Sequence, residues 1–318
     1  MSSFYLSIDL GGTSLRTALL NAKGKILALR QLSSDQVRSP DDLAKYLISE
    51  CKILNKEHGF ESVTGLALGI PGLVNSKTGI VYQSPHFPQW KNIPLRSIVA
   101  SHFNCQVVMD NDANQAALGE SWLGAGREWK DFIMLTLGTG IGGGIIIDGK
   151  IYRGPSGFAG EVGHIVIDRQ GLAGALGSRG TLESIASQSG LQLEVGHRQK
   201  TKANLSKDFL ALDTASEKIP EALLALAQAQ DPEALSVWAN FGEALACGIA
   251  SLIHSLGIFK FVLGGGLIGA WDLFYPACYQ ELKKRSYSST WNQIEIVPAK
   301  LENNAGLIGG IELIRQES

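Results

Sequence analysis

Short apolar runs separated by glycine turns fill the first thirty residues of the chain. Apolar residues dominate 4–10 and 15–20, and only Gly-Gly-Thr-Ser at 11–14 separates the two runs, which predicts a tight glycine hairpin. A third strand is predicted over 25–32. The sequence Ser-Pro-Asp-Asp at 39–42 then supplies a capping residue, a proline and an acidic first turn, so a helix should begin there. The predicted order is βββα.

Two nearly continuous apolar runs predict buried interior strands. The first, at 63–70, is followed by Pro-Gly, and the second, at 106–109, is followed by Asp-Asn-Asp. Turn or polar residues therefore stand at the carboxyl end of each predicted strand. The stretch 113–123 has helical spacing, and Gly-Ala-Gly at 124–126 predicts its end.

The pattern of the first hairpin returns after residue 132. Thr-Leu-Gly-Thr-Gly at 136–140 corresponds to Asp-Leu-Gly-Gly-Thr at 9–13, and each is followed by an apolar run and a turn. We therefore predict a diverged duplication, in an α/β fold of two βββαβα lobes that flank a cleft. A small α/β lobe is expected from 1–112 with 300–318, and a larger α+β lobe from 113–299.

The later part of the chain alternates between helical and strand patterns. Helices are predicted over 181–189, 232–256, 271–284 and 304–314, and strands over 259–263 and 293–297.

Charge and composition argue against several classes of function. The chain has 28 Lys and Arg against 30 Asp and Glu, a net charge of −2 without a basic block, which argues against nucleic acid and membrane partners. The first residues lack the basic and long apolar regions of a signal peptide, so a soluble cytoplasmic protein is expected. The 4 cysteines form no CxxC pair, which predicts neither a disulfide framework nor a cysteine zinc site.

Glycine-rich turns are candidate phosphate sites. Gly138, Gly140 and Gly143 match the GxGxxG pattern, but an apolar strand and an Asp-Gly turn follow where a dinucleotide fold needs a helix, so we reject that fold. A glycine hairpin still suits phosphate, because backbone N–H groups approach its oxygens where side chains are missing. The alternative is a turn that only needs a positive φ. Two hairpins at duplicated positions, with a third glycine cluster at 264–266, favour a nucleotide.

Carboxylates at predicted strand ends are candidates for catalysis. Asp9 can hold a hydrated Mg²⁺ against phosphates, or can simply form a turn. Asp112 can orient a substrate hydroxyl and accept its proton, or can belong to the N-cap of the next helix. Glu161, His164 and Glu183 can hydrogen-bond several adjacent hydroxyls. The alternative for His164 is a histidine buried in the core, and the alternative for Glu183 is a charge in the first turn of a helix.

Together these motifs resemble the ROK family of bacterial sugar kinases and repressors, within the actin-like ATPase superfamily. The resemblance covers nearly the whole chain and implies two lobes of the actin-like, ribonuclease H-like fold. The motifs are DLGGT at 9–13, GIPG at 69–72, DNDAN at 110–114, LTLGTGIGGG at 135–144, GEVGH at 160–164, GTLE at 180–183 and LGGG at 263–266.

The resemblance implies an ATP-dependent hexose kinase that acts on the 6-hydroxyl, with glucose as the expected substrate, and a homodimer or homotetramer. It implies that Asp112 is the general base, and that the sugar is bound by Gly72, Asn111, Asp112, Glu161, His164 and Glu183. ATP and Mg²⁺ are the implied cofactors, with Asp9 holding Mg²⁺ through water. The implied nucleotide contacts are Asp9, Gly11, Gly12, Thr13, Thr136, Gly138, Thr139, Gly140, Gly264, Gly265 and Gly266.

Several alternatives stay open. One is a kinase for an N-acylhexosamine such as N-acetylmannosamine, or for fructose, and another is a kinase that uses polyphosphate. A non-catalytic sugar sensor is the alternative from a different class, and it would be expected to carry a damaged base or phosphate loop. Neither is seen in the sequence.

The chain departs from the family pattern in three places. Family members carry three cysteines that bind a structural zinc with the histidine, whereas this chain has Gly174, Leu176 and Thr181 there. We therefore predict no structural zinc, with the loop held by packing around Leu176. His86 replaces the usual asparagine after Ser-Pro, and Ser14 replaces the usual lysine after Gly-Gly-Thr. Because the first phosphate motif begins at residue 9, the helix-turn-helix of the repressors is not expected.

Overall fold

The computed structural model describes residues 3–174 and 177–317. The strands are β1 (Phe4–Leu10), β2 (Ser14–Asn21), β3 (Ile26–Ser33), β4 (Gly65–Ile70), β5 (Leu73–Asn75), β6 (Ile80–Gln83), β7 (Lys91–Ile93), β8 (Gln106–Asn111), β9 (Phe132–Leu137), β10 (Ile141–Ile147), β11 (Lys150–Ile151), β12 (Lys260–Gly264) and β13 (Glu295–Pro298). The α-helices are α1 (Pro40–His58), α2 (Leu95–Ala100), α3 (Asp112–Trp122), α4 (Gln188–Thr201), α5 (Lys207–Leu210), α6 (Ile219–Gln228), α7 (Pro232–Leu256), α8 (Trp271–Arg285) and α9 (Ala305–Glu317).

The first sheet has the strand order β3-β2-β1-β4-β8. β1, β2 and β3 pair antiparallel, whereas β1, β4 and β8 run parallel to one another. Every residue of β4 is buried, as its continuous apolar run predicts for an interior strand. The predicted helix start is also confirmed, because Ser39 and Asp42 form a reciprocal capping box ahead of α1.

The second sheet repeats this order. Its strands follow one another as β11-β10-β9-β12-β13, so three successive strands are again joined on one side by two later ones. β10 and β11 pair antiparallel, as β2 and β3 do in the first sheet. β12 and β13 pair parallel, as β4 and β8 do. The predicted duplication in an α/β fold is therefore confirmed.

Contacts within the chain define two compact units. Unit 1 consists of Met1–Met134, Gly144–Gly160 and Ala299–Ser318, and unit 2 of Leu135–Gly143 and Glu161–Pro298. This division places α3 in unit 1, although we expected this helix at the start of the larger lobe. The reason is its close packing on α9: a Cβ at Gly119 would lie 2.1 Å from the carbonyl oxygen of Ala305. The lobe boundaries at 112 and 300 stay a prediction.

Two elements differ from the sequence prediction. The predicted helix over 181–189 is wrong at its start, because α4 begins only at Gln188, where the Ser187 hydroxyl caps it by accepting from the Gly190 N–H. Thr181 instead pairs with Val166 in an isolated antiparallel bridge. The small sheet β5-β6-β7 was not predicted, because its strands are only three or four residues long and each contains at most one buried residue.

The predicted long helix over 232–256 is confirmed as α7, with Asp231 as its N-cap and Gly257 as its C-cap. Among the described residues, α7 alone is long and apolar enough to cross a membrane by length and composition, and 67% of its most apolar window is buried. It packs tightly on α8, since a Cβ at Gly242 would lie 2.1 Å from the carbonyl oxygen of Phe274. This burial is typical of a core helix, and α7 has that role in unit 2.

Candidate active site

The first glycine hairpin connects β1 to β2 in unit 1. Its turn is closed by the Gly11 N–H, which donates to the Ser14 carbonyl at 2.8 Å. Ser34 supports the turn from outside, because its hydroxyl donates to the Gly12 carbonyl at 2.6 Å and its N–H to the Thr13 carbonyl at 3.2 Å. The predicted phosphate residues Gly11, Gly12 and Thr13 are thus held in one braced turn.

Asp9 lies two residues before this turn, half-buried in β1. Burial raises the pKa of its carboxyl group, and the charge of Arg16, its cross-strand partner, acts in the opposite direction. The first turn of α9 lies close by, since a Cβ at Gly306 would be 3.5 Å from the Asp9 Cγ. A partly desolvated carboxylate gains from a nearby cation, and Mg²⁺ on nucleotide phosphates commonly takes only one or two carboxylates. Asp9 therefore fits the Mg²⁺ role predicted for it.

The predicted general base lies where β8 passes into α3. Asn111 is the N-cap of α3: its Oδ1 accepts from the N–H groups of Ala113 at 2.9 Å and of Asn114 at 3.3 Å. Its Nδ2 donates to the Gly72 carbonyl at 3.1 Å. Asn111 is thus the N-cap. The half-buried Asp112 takes the next position, in the first helical turn, where its Oδ1 also accepts from the Ala113 N–H at 2.9 Å. The structure brings Gly72, Asn111 and Asp112 together.

Asp110 belongs to the scaffold beneath this site. It is 1% exposed, and its Oδ1 accepts from the Asn111 N–H at 2.8 Å and from the Asn114 Nδ2 at 2.9 Å. Its Oδ2 pairs with the Arg153 Nε at 2.7 Å, and Arg153 also lies 3.4 Å from a Glu317 carboxylate oxygen. Arg153 was missed by the sequence reasoning, because nothing in the sequence connects it to a strand end 43 residues earlier.

The second glycine hairpin, in unit 2, follows β9. Its turn is closed by the Gly138 N–H, which donates to the Gly140 carbonyl at 3.0 Å. The start of α4 braces it, because the Gln188 N–H donates to the Gly138 carbonyl at 2.9 Å and the Ser189 N–H to that of Thr139 at 3.3 Å. This bracing repeats the role that Ser34 has in unit 1. Thr136 stands half-buried near the end of β9.

The predicted sugar residues of unit 2 form one cluster beside this hairpin. Glu183 is fixed by the Ile141 N–H, which donates to its Oε2 at 2.9 Å. The His164 Nε2 lies 3.8 Å from the Glu161 Oε2, and these side chains are 41% and 39% exposed. Burial raises the pKa of the Glu161 carboxyl group. The neighbouring His164 lowers this pKa, and the negative charge of Glu183 raises it. Two carboxylates and an imidazole are therefore available to adjacent hydroxyls.

The third glycine cluster, at 264–266, borders a small cavity in unit 2. Gly265 has a φ of 93°, and a Cβ there would lie 2.3 Å from the Leu137 carbonyl oxygen, so only glycine fits. A cavity of about 110 Å³ opens beside Gly266 and Gly138, and Cβ atoms at both of these glycines would meet open space. The other lining residues are Gln188, Pro220, Glu221, Leu224, Trp238, Leu267, Gly269 and Ala270.

Trp238 is a lining residue of this cavity and also carries a buried polar group. The residue is 1% exposed, and its indole Nε1 is a buried donor with no hydrogen-bond partner among the described residues. A buried donor without a partner is costly. The sequence reasoning missed Trp238 because α7 shows only the pattern of a core helix.

Hydrogen bonds connect the described residues of the loop to which the family resemblance assigns zinc-binding cysteines. The Gly174 N–H donates to the Ser178 carbonyl at 2.8 Å, and the Gly180 N–H donates to the Leu172 carbonyl at 3.0 Å. The Thr181 Oγ1 accepts from the Ser184 N–H at 3.2 Å. Leu176, around which packing was predicted, lies outside the described residues. Within residues 3–174 and 177–317 no group of three His, Cys, Asp or Glu could hold a metal ion.

Comparisons with known proteins agree with this geometry. The sequence model of the ROK family matches residues 5–317. Glucokinase from Halalkalibacterium halodurans is 33% identical over 318 residues, which are 99% of this chain and 96% of that protein. The crystal structure of a ROK family glucokinase from Streptomyces griseus, in complex with glucose and AMPPNP, superposes with a TM-score of 0.81 at 28% identity. It covers 99% of this chain and 100% of that one.

A repressor is also among the relatives. The xylose repressor of Caldicellulosiruptor bescii is 28% identical over 97% of this chain, which covers 77% of the repressor.

Proposed function

Because the chain belongs to the ROK family, we propose that it transfers the γ-phosphoryl group of ATP to the 6-hydroxyl of a hexose, with glucose as the preferred substrate. The observation that carries this proposal is the start of α3. There Asn111 is the N-cap, and the Asp112 carboxylate stands in the first helical turn, directly after the carboxyl end of β8 and beside the hydrogen-bonded pair Asn111 and Gly72. The similarity to glucokinases over nearly the whole chain supports the choice of substrate.

Asp112 acts as the general base in the proposed reaction. Its carboxylate accepts a hydrogen bond from the sugar 6-hydroxyl and takes the proton as the hydroxyl oxygen bonds to the γ-phosphorus. At the same time the bond from the γ-phosphorus to its bridging oxygen breaks, and ADP leaves with that electron pair.

The sugar is held by groups that suit a polyol. Asn111 and Gly72 are joined by a hydrogen bond of 3.1 Å, so they present a fixed surface to the substrate. Glu161 and His164 offer an acceptor and an imidazole, and Glu183 is oriented by its bond to the Ile141 N–H. Fixed polar groups of this kind position a hydroxyl for reaction.

ATP is bound through the glycine hairpins and the cavity beside 264–266. The backbone N–H groups of Gly12, Thr13, Thr139 and Gly140 approach the phosphates, while those of Gly11 and Gly138 close the two turns. The cavity beside Gly266 accepts the adenosine. Thr136 and Thr139 add hydroxyl groups to the second hairpin. Asp9 would hold Mg²⁺ through water, and the ion would neutralise charge on the phosphates.

A sugar sensor without turnover is the second candidate function, and the similarity to the xylose repressor favours it. Kinases for N-acetylmannosamine or fructose, and polyphosphate as the donor, are the alternatives within the kinase class. We also propose a cytoplasmic homodimer or homotetramer, as the family resemblance implies. The net charge of −2 supports the proposal that nucleic acid and membranes are not partners.

Measurement of sugar-dependent ADP release tests the proposal. Glucose, mannose, N-acetylmannosamine, N-acetylglucosamine, fructose and allose would be compared with Mg·ATP and with polyphosphate as donors. Asp112→Asn should lower kcat about 10³-fold, within the range for loss of a general base, while glucose still binds. Asp41→Asn is the matched control, because Asp41 is an exposed aspartate in the first turn of α1. Glucose binding by folded wild-type protein without ADP release on any sugar would favour the sensor instead.

A further inference from the structure

A path of close contacts leads from the general base to the first glycine hairpin within unit 1. It begins at Asn111, whose Nδ2 donates to the Gly72 carbonyl at 3.1 Å. Gly72 has a φ of 107°, and a Cβ there would lie 2.3 Å from the Gln83 carbonyl oxygen and 2.8 Å from the Ser84 Cα. Only glycine allows this approach, so the segment after β6 is pinned beside the start of α3.

The same segment continues directly onto the hairpin. Two residues after Ser84, the His86 ring lies against Gly12, since a Cβ at Gly12 would be 2.6 Å from the His86 Nδ1 and 2.8 Å from its Cγ and Cε1. His86 is exposed, so its ring also faces solvent. The Ser84 hydroxyl is buried and has no hydrogen-bond partner among the described residues. The segment that Gly72 holds beside the start of α3 therefore brings the His86 ring onto the hairpin proposed for the phosphates.

We infer that His86 donates a hydrogen bond to the phosphoryl group while it passes from ATP to the sugar, an inference that rests on the proposed kinase function. The group in transit must pass from the phosphate-binding hairpin toward Asp112, and the His86 ring lies on that hairpin, in a segment that is pinned beside the start of α3. An imidazole N–H is a suitable donor to the phosphoryl oxygens, on which negative charge is spread in the transition state. His86 keeps its proton throughout, because the hydroxyl proton goes to Asp112.

Three substitutions separate this role from packing. His86→Ala should lower kcat about 10²- to 10³-fold, the usual loss for one donor to a transition state. His86→Phe keeps a ring against Gly12 but has no N–H, so it should lose as much. His86→Asn keeps an N–H donor and should recover about tenfold of that loss. His102→Ala, which removes an exposed histidine elsewhere in unit 1, is the matched control and should behave as wild type.

The diagnostic readouts are kcat, the Kd of glucose and the affinity of Mg·ADP with aluminium fluoride and glucose, a mimic of the phosphoryl group in transit. We expect the Kd of glucose to stay within about twofold in all variants, whereas the mimic binds His86→Ala and His86→Phe at least about tenfold more weakly. If the wild type is active and His86→Phe is fully active as well, this inference is overturned and the proposed function is not. The same holds if His86→Ala or His86→Phe loses glucose affinity by the same factor as kcat. A wild type without turnover on any sugar would overturn the proposed function, and this inference with it.

Discussion

The carboxylate of Glu120 accepts hydrogen bonds from three backbone N–H groups in two segments of unit 1, and its replacement by glutamine should destabilise the protein measurably. The side chain is 0% exposed. Its Oε2 accepts from the Ala125 N–H at 2.6 Å and from the Lys300 N–H at 3.2 Å, and its Oε1 accepts from the Leu301 N–H at 2.7 Å. One carboxylate thus satisfies the turn after α3 and the segment that precedes α9.

The expected loss in the free energy of unfolding follows from the number of hydrogen-bond acceptors that glutamine retains. Glu120→Gln preserves the shape but has a single carbonyl oxygen, so in its better orientation it loses the Leu301 bond and directs its own N–H₂ at that donor. A buried hydrogen bond to a charged group contributes about 1.5–3 kcal/mol, and an orphaned buried donor adds to the loss, which gives about 2.5 kcal/mol in total. At a urea m-value of about 2.5 kcal/mol/M, the unfolding midpoint should fall by about 1 M.

Urea titration followed by tryptophan fluorescence provides the assay, because Trp122 lies at the end of the same helix. Glu128→Gln is the matched control: Glu128 is 75% exposed and pairs with Arg127 at the surface, so its midpoint should not move. A midpoint for Glu120→Gln that differs from wild type by less than about 0.2 M, at an unchanged m-value, would refute the assignment of Glu120 as a buried clamp.

Two further predictions concern the scaffold of the site and the altered loop. Arg153→Ala should lower the free energy of unfolding by about 3 kcal/mol, because it leaves the Asp110 carboxylate buried and without its ion-pair partner. The double variant Arg153→Ala with Asp110→Asn should recover part of this loss. If urea titration showed that the free-energy changes of the two substitutions are fully additive, the pairing would be contradicted. Metal analysis of the purified protein should find no stoichiometric zinc, and a chelator specific for zinc should leave sugar phosphorylation unchanged, because Gly174 and Thr181 have no thiolate to offer; one zinc per chain would refute this.

Local chemistry explains why much of the fold was predictable. The hairpin at 11–14, the capping box of Ser39 and Asp42 and the caps of α7 involve residues only a few positions apart, so one short stretch of sequence contains both partners. The failure at 181–187 has the same origin. Helical spacing is present there, but Thr181 pairs with Val166, a partner outside the window in which the spacing was judged.

The sequence by itself determined the duplicated strand pattern, the glycine turns and the types of residue available for chemistry, because each of these depends on neighbours in the chain. Only the tertiary structure decided which residues meet. Arg153 reaches Asp110 across 43 residues, and the Glu120 carboxylate reaches the Lys300 N–H across 180. The His86 ring lies on Gly12 because Gly72 lets the intervening segment approach the start of α3. Such contacts are fixed by packing of the whole unit, in which burial and satisfied polar groups outweigh local preference.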